Sequence, residues 1–151
     1  MLKLARYYFP AILWTALVLA SSTDTFSSVH TFRWLAEMLA RLFGHKPPEP
    51  RVHEINFLWR KATHVTAYGL VGLLWFRALR GDAGIRGTAR WTARWSWQAI
   101  GITALFAMAD EIHQIFVPSR SASVFDVLLD VGGAALALVL LRVSQVLLFR
   151  R

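Results

Sequence analysis

Apolar residues gather into four long runs, over about residues 5–22, 61–79, 98–117 and 124–148. Each is close to the roughly 20 residues that a helix needs to cross a bilayer. Between the first two runs, Phe32, Leu35, Met38, Leu39 and Leu42 recur at helical spacing, while Arg33, Glu37 and Arg41 share the opposite face. That pattern predicts an amphipathic helix over about 28–43, lying flat on the membrane surface or packed against its own connecting loop. Gly44 ends it, and Pro47, Pro48 and Pro50 prevent its continuation. A cleaved signal peptide is the rival reading of the first run. Its Tyr, Phe and Trp content and the poor cleavage sequence Ser21-Ser22-Thr23-Asp24 argue against it. Pro10 falls in the first turns of this run, where a missing N–H is tolerated. The pattern as a whole predicts an all-α membrane protein with a single domain over 1–151. It would be a bundle of four transmembrane helices with one extracytoplasmic amphipathic helix.

Composition agrees with a membrane class. Of the 151 residues 56% are hydrophobic, and mean hydropathy is +0.42, unusual for a soluble domain. Seven tryptophans, Trp14, Trp34, Trp59, Trp75, Trp91, Trp95 and Trp97, lie mostly near the ends of apolar runs, as an interfacial belt would place them. Without cysteine there are no disulfides or thiolate metal sites. The net charge of +8 would suit nucleic acid. Here, however, Lys and Arg flank the apolar runs, which favours anionic lipid and argues against a nucleic-acid partner.

Four spans put both termini on one side. With the N-terminus inside, that side carries Lys3 and Arg6, the loop arginines Arg77, Arg80, Arg86, Arg90 and Arg94, and Arg142, Arg150 and Arg151. The basic residues of the other side are diluted by Asp24, Glu37, Glu49 and Glu54. The excess places both termini on the cytoplasmic side.

Polar residues inside the runs cluster at one end of the bundle. Ser21, Ser22 and Asp24 close the first run, and Lys61, His64 and Tyr68 open the second. Asp110, Glu111, His113 and Gln114 close the third, and Asp126 and Asp130 open the fourth. In this topology all of those ends meet on the extracytoplasmic face. Ionisable groups inside membrane segments are costly, so each marks a functional-site hypothesis. Arg120, in the short connection between the last two runs, is suited to holding carboxylates or an anionic headgroup. Two adjacent carboxyls, Asp110 and Glu111, offer an acid and a base. Ser123-x-x-Asp126 also reads as a capping box, with Asp126 reaching back to the free N–H groups of the helix start. Asp130, one turn deeper, has no capping role.

Lys61-x-x-His64-x-x-x-Tyr68-x-x-x-Gly72 resembles the first motif of the VanZ-like membrane proteins. Asp110-Glu111-x-x-Gln114, then Val117-Pro118-x-Arg120-x-x-Ser123-x-x-Asp126 and Gly133, resembles the second. Ser21-Ser22 also fits. Arg60 stands where that family usually has Asp, and Asp130 where it often has Asn. The resemblance implies a small bacterial membrane protein, in a family whose founding member is associated with teicoplanin resistance.

The expected function is action on, or binding of, an anionic envelope lipid or lipid-linked precursor at the outer leaflet. As an enzyme, Glu111 would be general acid/base with Asp110 its partner, and His64 would shuttle protons. Arg120 would hold a headgroup with Gln114, Tyr68, Lys61 and Ser123 nearby, and Asp126 and Asp130 would orient the site or bind a cation. A divalent cation is compatible with these oxygen and nitrogen donors, though no spacing is diagnostic. The other readings are a non-catalytic lipid binder or transporter and an accessory subunit docking through the Gly-rich last helix.

Overall fold

The computed structural model describes residues 4–21, 28–82, 91–117 and 122–148. Among them are five α-helices and no strand. A π-helical turn, Leu4–Tyr8, leads into α1 (Phe9–Ser21). Pro10 has no N–H for the carbonyl four residues back, and the wider turn lies immediately before it. Helix α2 (Ser28–Phe43) is followed by Gly44 at φ +72°, the left-handed conformation that commonly closes helices.

Helix α3 (Glu49–Asp82) is 34 residues long. It begins well before the apolar run that signals it. Pro48 is its start: the Pro48 carbonyl accepts from Arg51 N at 3.0 Å and Val52 N at 3.2 Å. Pro50 sits in the first turn, where its missing N–H leaves no bond unmade. The proline cluster thus both ends α2 and begins α3. Helices α4 (Ala93–Ile115) and α5 (Val124–Leu148) complete the chain.

The contacts fix the helix directions. Trp14 on α1 donates its indole N–H to the Ala67 carbonyl of α3 at 3.0 Å, and Trp75 of α3 donates to Thr15 Oγ1 at 3.1 Å. Phe76 packs with Ala99 near the start of α4 and Leu138 near the end of α5, while Tyr68 packs with Val18 and Ala107. Helices α1 and α4 therefore run one way and α3 and α5 the other. Helix α2 covers the first turns of α3, with Leu35 and Val52 buried and the Phe32 ring stacked 4.2 Å from that of His53. Its Trp34, Met38, Leu42 and Phe43 face outward. Of the tryptophans, Trp34, Trp59 and Trp97 are exposed, whereas Trp14 and Trp75 tie α1 to α3.

By length and composition, α5 is the one helix among the described residues apolar enough to cross a membrane, with mean hydropathy 2.2 in its best window. The interior mixes apolar side chains such as Val18, Val71, Phe76 and Leu138 with the polar Thr15, Asn56, Thr103, Asp110, Glu111, Gln114 and Asp130, while Leu17, Leu105, Ile112, Phe125, Leu136 and Val139 are among many exposed apolar side chains.

Helices α3 and α5 make the most extensive contact, over small residues. A Cβ on Gly133 would stand 2.5 Å from the Val65 carbonyl oxygen, and one on Gly72 would stand 2.7 Å from the Ala134 Cβ. A Cβ on neighbouring Gly132 meets open space. Gly→Ala ordinarily stabilises a helix by up to ~1 kcal/mol, whereas overpacking costs about 1–3 kcal/mol. The two substitutions are therefore expected to differ in sign. In detergent melting curves, Gly132→Ala should hold or raise the midpoint and Gly133→Ala should lower it. Equal behaviour would contradict the close crossing.

Candidate functional site

The α3–α5 crossing sets two polar pairs side by side. Helical spacing puts Lys61, His64 and Tyr68 on one stripe of α3, and Asp126 and Asp130 on the facing stripe of α5. Lys61 Nζ forms an ion pair with Asp126 Oδ1. One turn further in, His64 Nδ1 lies 3.2 Å and 3.4 Å from the two carboxylate oxygens of Asp130, which is completely buried. The His64 and Tyr68 rings run nearly parallel, 6.3 Å apart. Phe57 lies beneath Lys61, its ring centre 5.4 Å from the ammonium.

Helix α4 supplies the third wall. Asp110 and Gln114, one turn apart, are both buried, and Gln114 Nε2 donates to Asp110 Oδ2 at 3.2 Å. Glu111 Oε2 accepts the backbone N–H of Ser123 at 2.6 Å. Ser123 caps α5, its Oγ accepting from Phe125 N at 3.2 Å. The reciprocal half of the cap, expected of Asp126, is thus made by Glu111 from another helix, and Asp126 is left for Lys61. Charged acceptors at N–H groups bind roughly twice as strongly as neutral ones, so Glu111 fastens the start of α5 to the end of α4. Within this cluster Tyr68 Oη, Asp110 Oδ1 and Glu111 Oε1 are buried and make no well-formed hydrogen bond among the described residues.

A cavity of about 240 Å³ opens beside these groups, lined by Val18, Ser21, Thr31, Trp59, Arg60, Thr63, His64, Ala67, Tyr68 and Asp110. Of the residues the sequence placed in the polar cluster, Ser21, His64, Tyr68 and Asp110 line it. Lys61, Asp126, Asp130, Gln114 and Glu111 stand behind these as partners, and Ser123 is tied in through Glu111. His113 is exposed on the outer side of α4. Arg120, Ser22 and Asp24 lie outside the described residues, as do Lys3, Arg86, Arg90, Arg150 and Arg151. Arg60, Thr63 and Thr31 line the cavity without having been nominated. The signal was available: Arg60, Thr63, His64 and Ala67 share one face of α3, and Thr31 lies one turn from the buried Leu35. Among the described residues, no three His, Asp or Glu side chains converge to hold a metal ion.

The Lys61–Asp126 pair makes the site's frame testable. Its side chains are 31% and 19% exposed, between the surface case of roughly 0–1 kcal/mol and the buried case, where an orphaned charge costs about 3–5 kcal/mol. Lys61→Gln and Asp126→Asn are each expected to lower stability. The double variant should lose less than the sum of the two, with a coupling of about 1–2 kcal/mol. Denaturation of the four chains in one detergent measures this, and additive losses would mean that the pair does not hold.

No curated protein and no solved structure matches this chain. The family model of VanZ/LLP1 matches residues 7–148, a span that takes in the α3 and α4–α5 motifs and the helix before them. The chain belongs to the VanZ-like family.

Proposed function

We propose that the protein spans the bacterial cytoplasmic membrane four times, by α1 with its preceding turn and by α3, α4 and α5. The cavity beside His64 would then bind the headgroup of an anionic envelope lipid or lipid-linked precursor at the outer leaflet. Support for the membrane part is the outer surface. Many large apolar side chains are exposed on the bundle while Asp110, Glu111 and Asp130 are buried within it, whereas soluble monomers rarely expose large continuous apolar patches. Arg6, Arg77, Arg80, Arg94 and Arg142 belong to the end opposite the cavity, which favours a cytoplasmic position for that end and for both termini. The family's association with teicoplanin resistance fits a ligand in wall-precursor metabolism.

One observation carries the binding part. Arg60 lines the same cavity as His64, Tyr68 and Asp110, and there the Tyr68 hydroxyl and the Asp110 carboxylate lie beside each other, with neither the hydroxyl nor Asp110 Oδ1 in a well-formed hydrogen bond among the described residues. A phosphate or pyrophosphate headgroup would accept from Arg60 and Tyr68, and a sugar or amide hydrogen would satisfy Asp110. The exposed Trp59 at the rim suits the interfacial zone.

A second reading, turnover of that lipid, is favoured by the His64–Asp130 contact. A carboxylate on Nδ1 orients the ring, the arrangement of a general acid/base. In that reading His64 moves the proton, Asp130 positions it, and Glu111 holds the α4–α5 junction.

Mass spectrometry of lipids retained by the purified chain tests the binding. A charged hydrogen bond contributes about 1.5–3 kcal/mol, so Arg60→Gln should reduce retention of the bound species by roughly 10- to 100-fold. Retention identical to wild type would sink the proposal. In whole cells, a lipid species that changes with wild type but not with His64→Gln would support turnover. An unchanged lipid pool with one co-purifying species would leave binding or transport.

A further inference from the structure

A second cavity, of about 600 Å³, lies at the other end of α3, against α5 and the turn before α1. Its polar wall is basic: Arg6, Arg77 and Arg80 line it, and the described residues around it include no carboxylate. Two of the arginines share one aromatic ring. The guanidinium carbons of Arg6 and Arg77 each lie 5.8 Å from the centre of the Tyr7 ring. Tyr7 in turn rests on Gly81, where any Cβ would run into the ring, so this position suits glycine for close approach rather than for backbone freedom. Arg80 points its Nε and Nη2 groups into buried space without a hydrogen-bond partner. Gln145 Oε1, also on this cavity, is buried and unpartnered. The remaining wall is apolar, from Leu73 and Leu74 on α3 to Leu141 on α5.

Three guanidinium groups drawn together repel one another, and desolvated N–H donors are costly when unpaired. A helix C-terminus and a cytoplasmic flank both favour cations, but neither explains why two donors of Arg80 are turned inward away from water. A dianionic or monoanionic phosphate would answer both costs, because the planar guanidinium fork matches phosphate oxygens. The apolar wall beside the fork gives such a ligand a hydrocarbon part.

We propose that this cavity binds the phosphate of an anionic glycerophospholipid, held by Arg80 and Arg77, with its acyl chains along Leu73 and Leu141. The site is separate from the His64 cavity and uses none of its residues; it shares only the membrane setting. In the proposed orientation it takes its lipid from the inner leaflet.

Native mass spectrometry of the full chain in detergent tests this, with phosphatidylglycerol, phosphatidylcholine or inorganic phosphate as the added probe. Wild type should retain phosphatidylglycerol over phosphatidylcholine. Arg80→Gln should lower that retention at least tenfold at one site, while Arg41→Gln, the same charge change on exposed α2, should not. Arg77→Gln, altered at an exposed position, serves if the Arg80 variant does not purify as a folded species. Arg60→Gln should leave this lipid in place, so the two cavities fail separately. Wild-type retention in both the Arg77 and Arg80 variants would overturn the site. Equal retention of the two lipids would overturn its anionic selectivity. Displacement of the lipid by millimolar inorganic phosphate would overturn the lipid assignment in favour of a soluble phosphate ligand.

Discussion

The close crossing of α3 over α5 is the constraint on which the site depends. Gly69 and Gly72 on one helix meet Gly133, Ala134 and Ala137 on the other, with Gly133 set directly against the Val65 carbonyl. Val65 follows His64, and Gly133 lies three residues beyond Asp130. Once the backbones touch there, His64 reaches Asp130, and Lys61, one turn back, reaches Asp126. A larger residue at Gly133 would separate the helices at the point where a His–carboxylate contact of 3.2 Å has to be kept. Packing and chemistry are therefore set by the same few ångströms.

That arrangement also fits what holds helices together in lipid. Where the surroundings are as apolar as leucine, burial of hydrocarbon gives helices little reason to associate. Close packing of small residues and polar contacts between helices take over. The Lys61–Asp126 and His64–Asp130 pairs, the Glu111–Ser123 junction and the two tryptophan hydrogen bonds of α1 are interactions of this kind. They join α1, α3, α4 and α5, and the cavity sits beside those at the His64 end. The polar groups are thus part of the frame as well as candidates for chemistry, and a single substitution will move both.

Much of this was legible in one dimension. Helical periodicity and the Gly44 and proline signals mark an all-helical chain, and the spacing of Lys61, His64 and Tyr68 and of Asp126 and Asp130 marks two polar stripes; that the stripes pair residue by residue comes from the crossing. What escaped depends on contacts between segments. A capping box is a local rule, and it assigned the reach-back bond to Asp126; Glu111, twelve positions before Ser123, makes it because the α4–α5 turn folds back. The prolines before α3 read as a stop, and their role as a start depends on the Pro48 carbonyl, which no side-chain pattern reports. The arginines at the other end read as a topology signal. That Arg6 and Arg77 meet at one ring beside Arg80 follows from the seat of Tyr7 on Gly81.

Two residues depart from the family's usual pattern, and both lie at the cavity end. Arg60 replaces the usual Asp and faces the cavity. Asp130 replaces a frequent Asn and holds His64. The residues that make the crossing and its immediate walls, Tyr68, Gly72 and Gly133, follow the motif. Arg60 changes what the cavity presents to a ligand, from an acid to a guanidinium. Asp130 puts a carboxylate, where the motif often has an amide, directly behind the ring. The positions that set the helix crossing and the positions that set the charge beside it are therefore different residues: Gly72 and Gly133 bring the backbones together, and Arg60 and Asp130 determine what the space beside them presents.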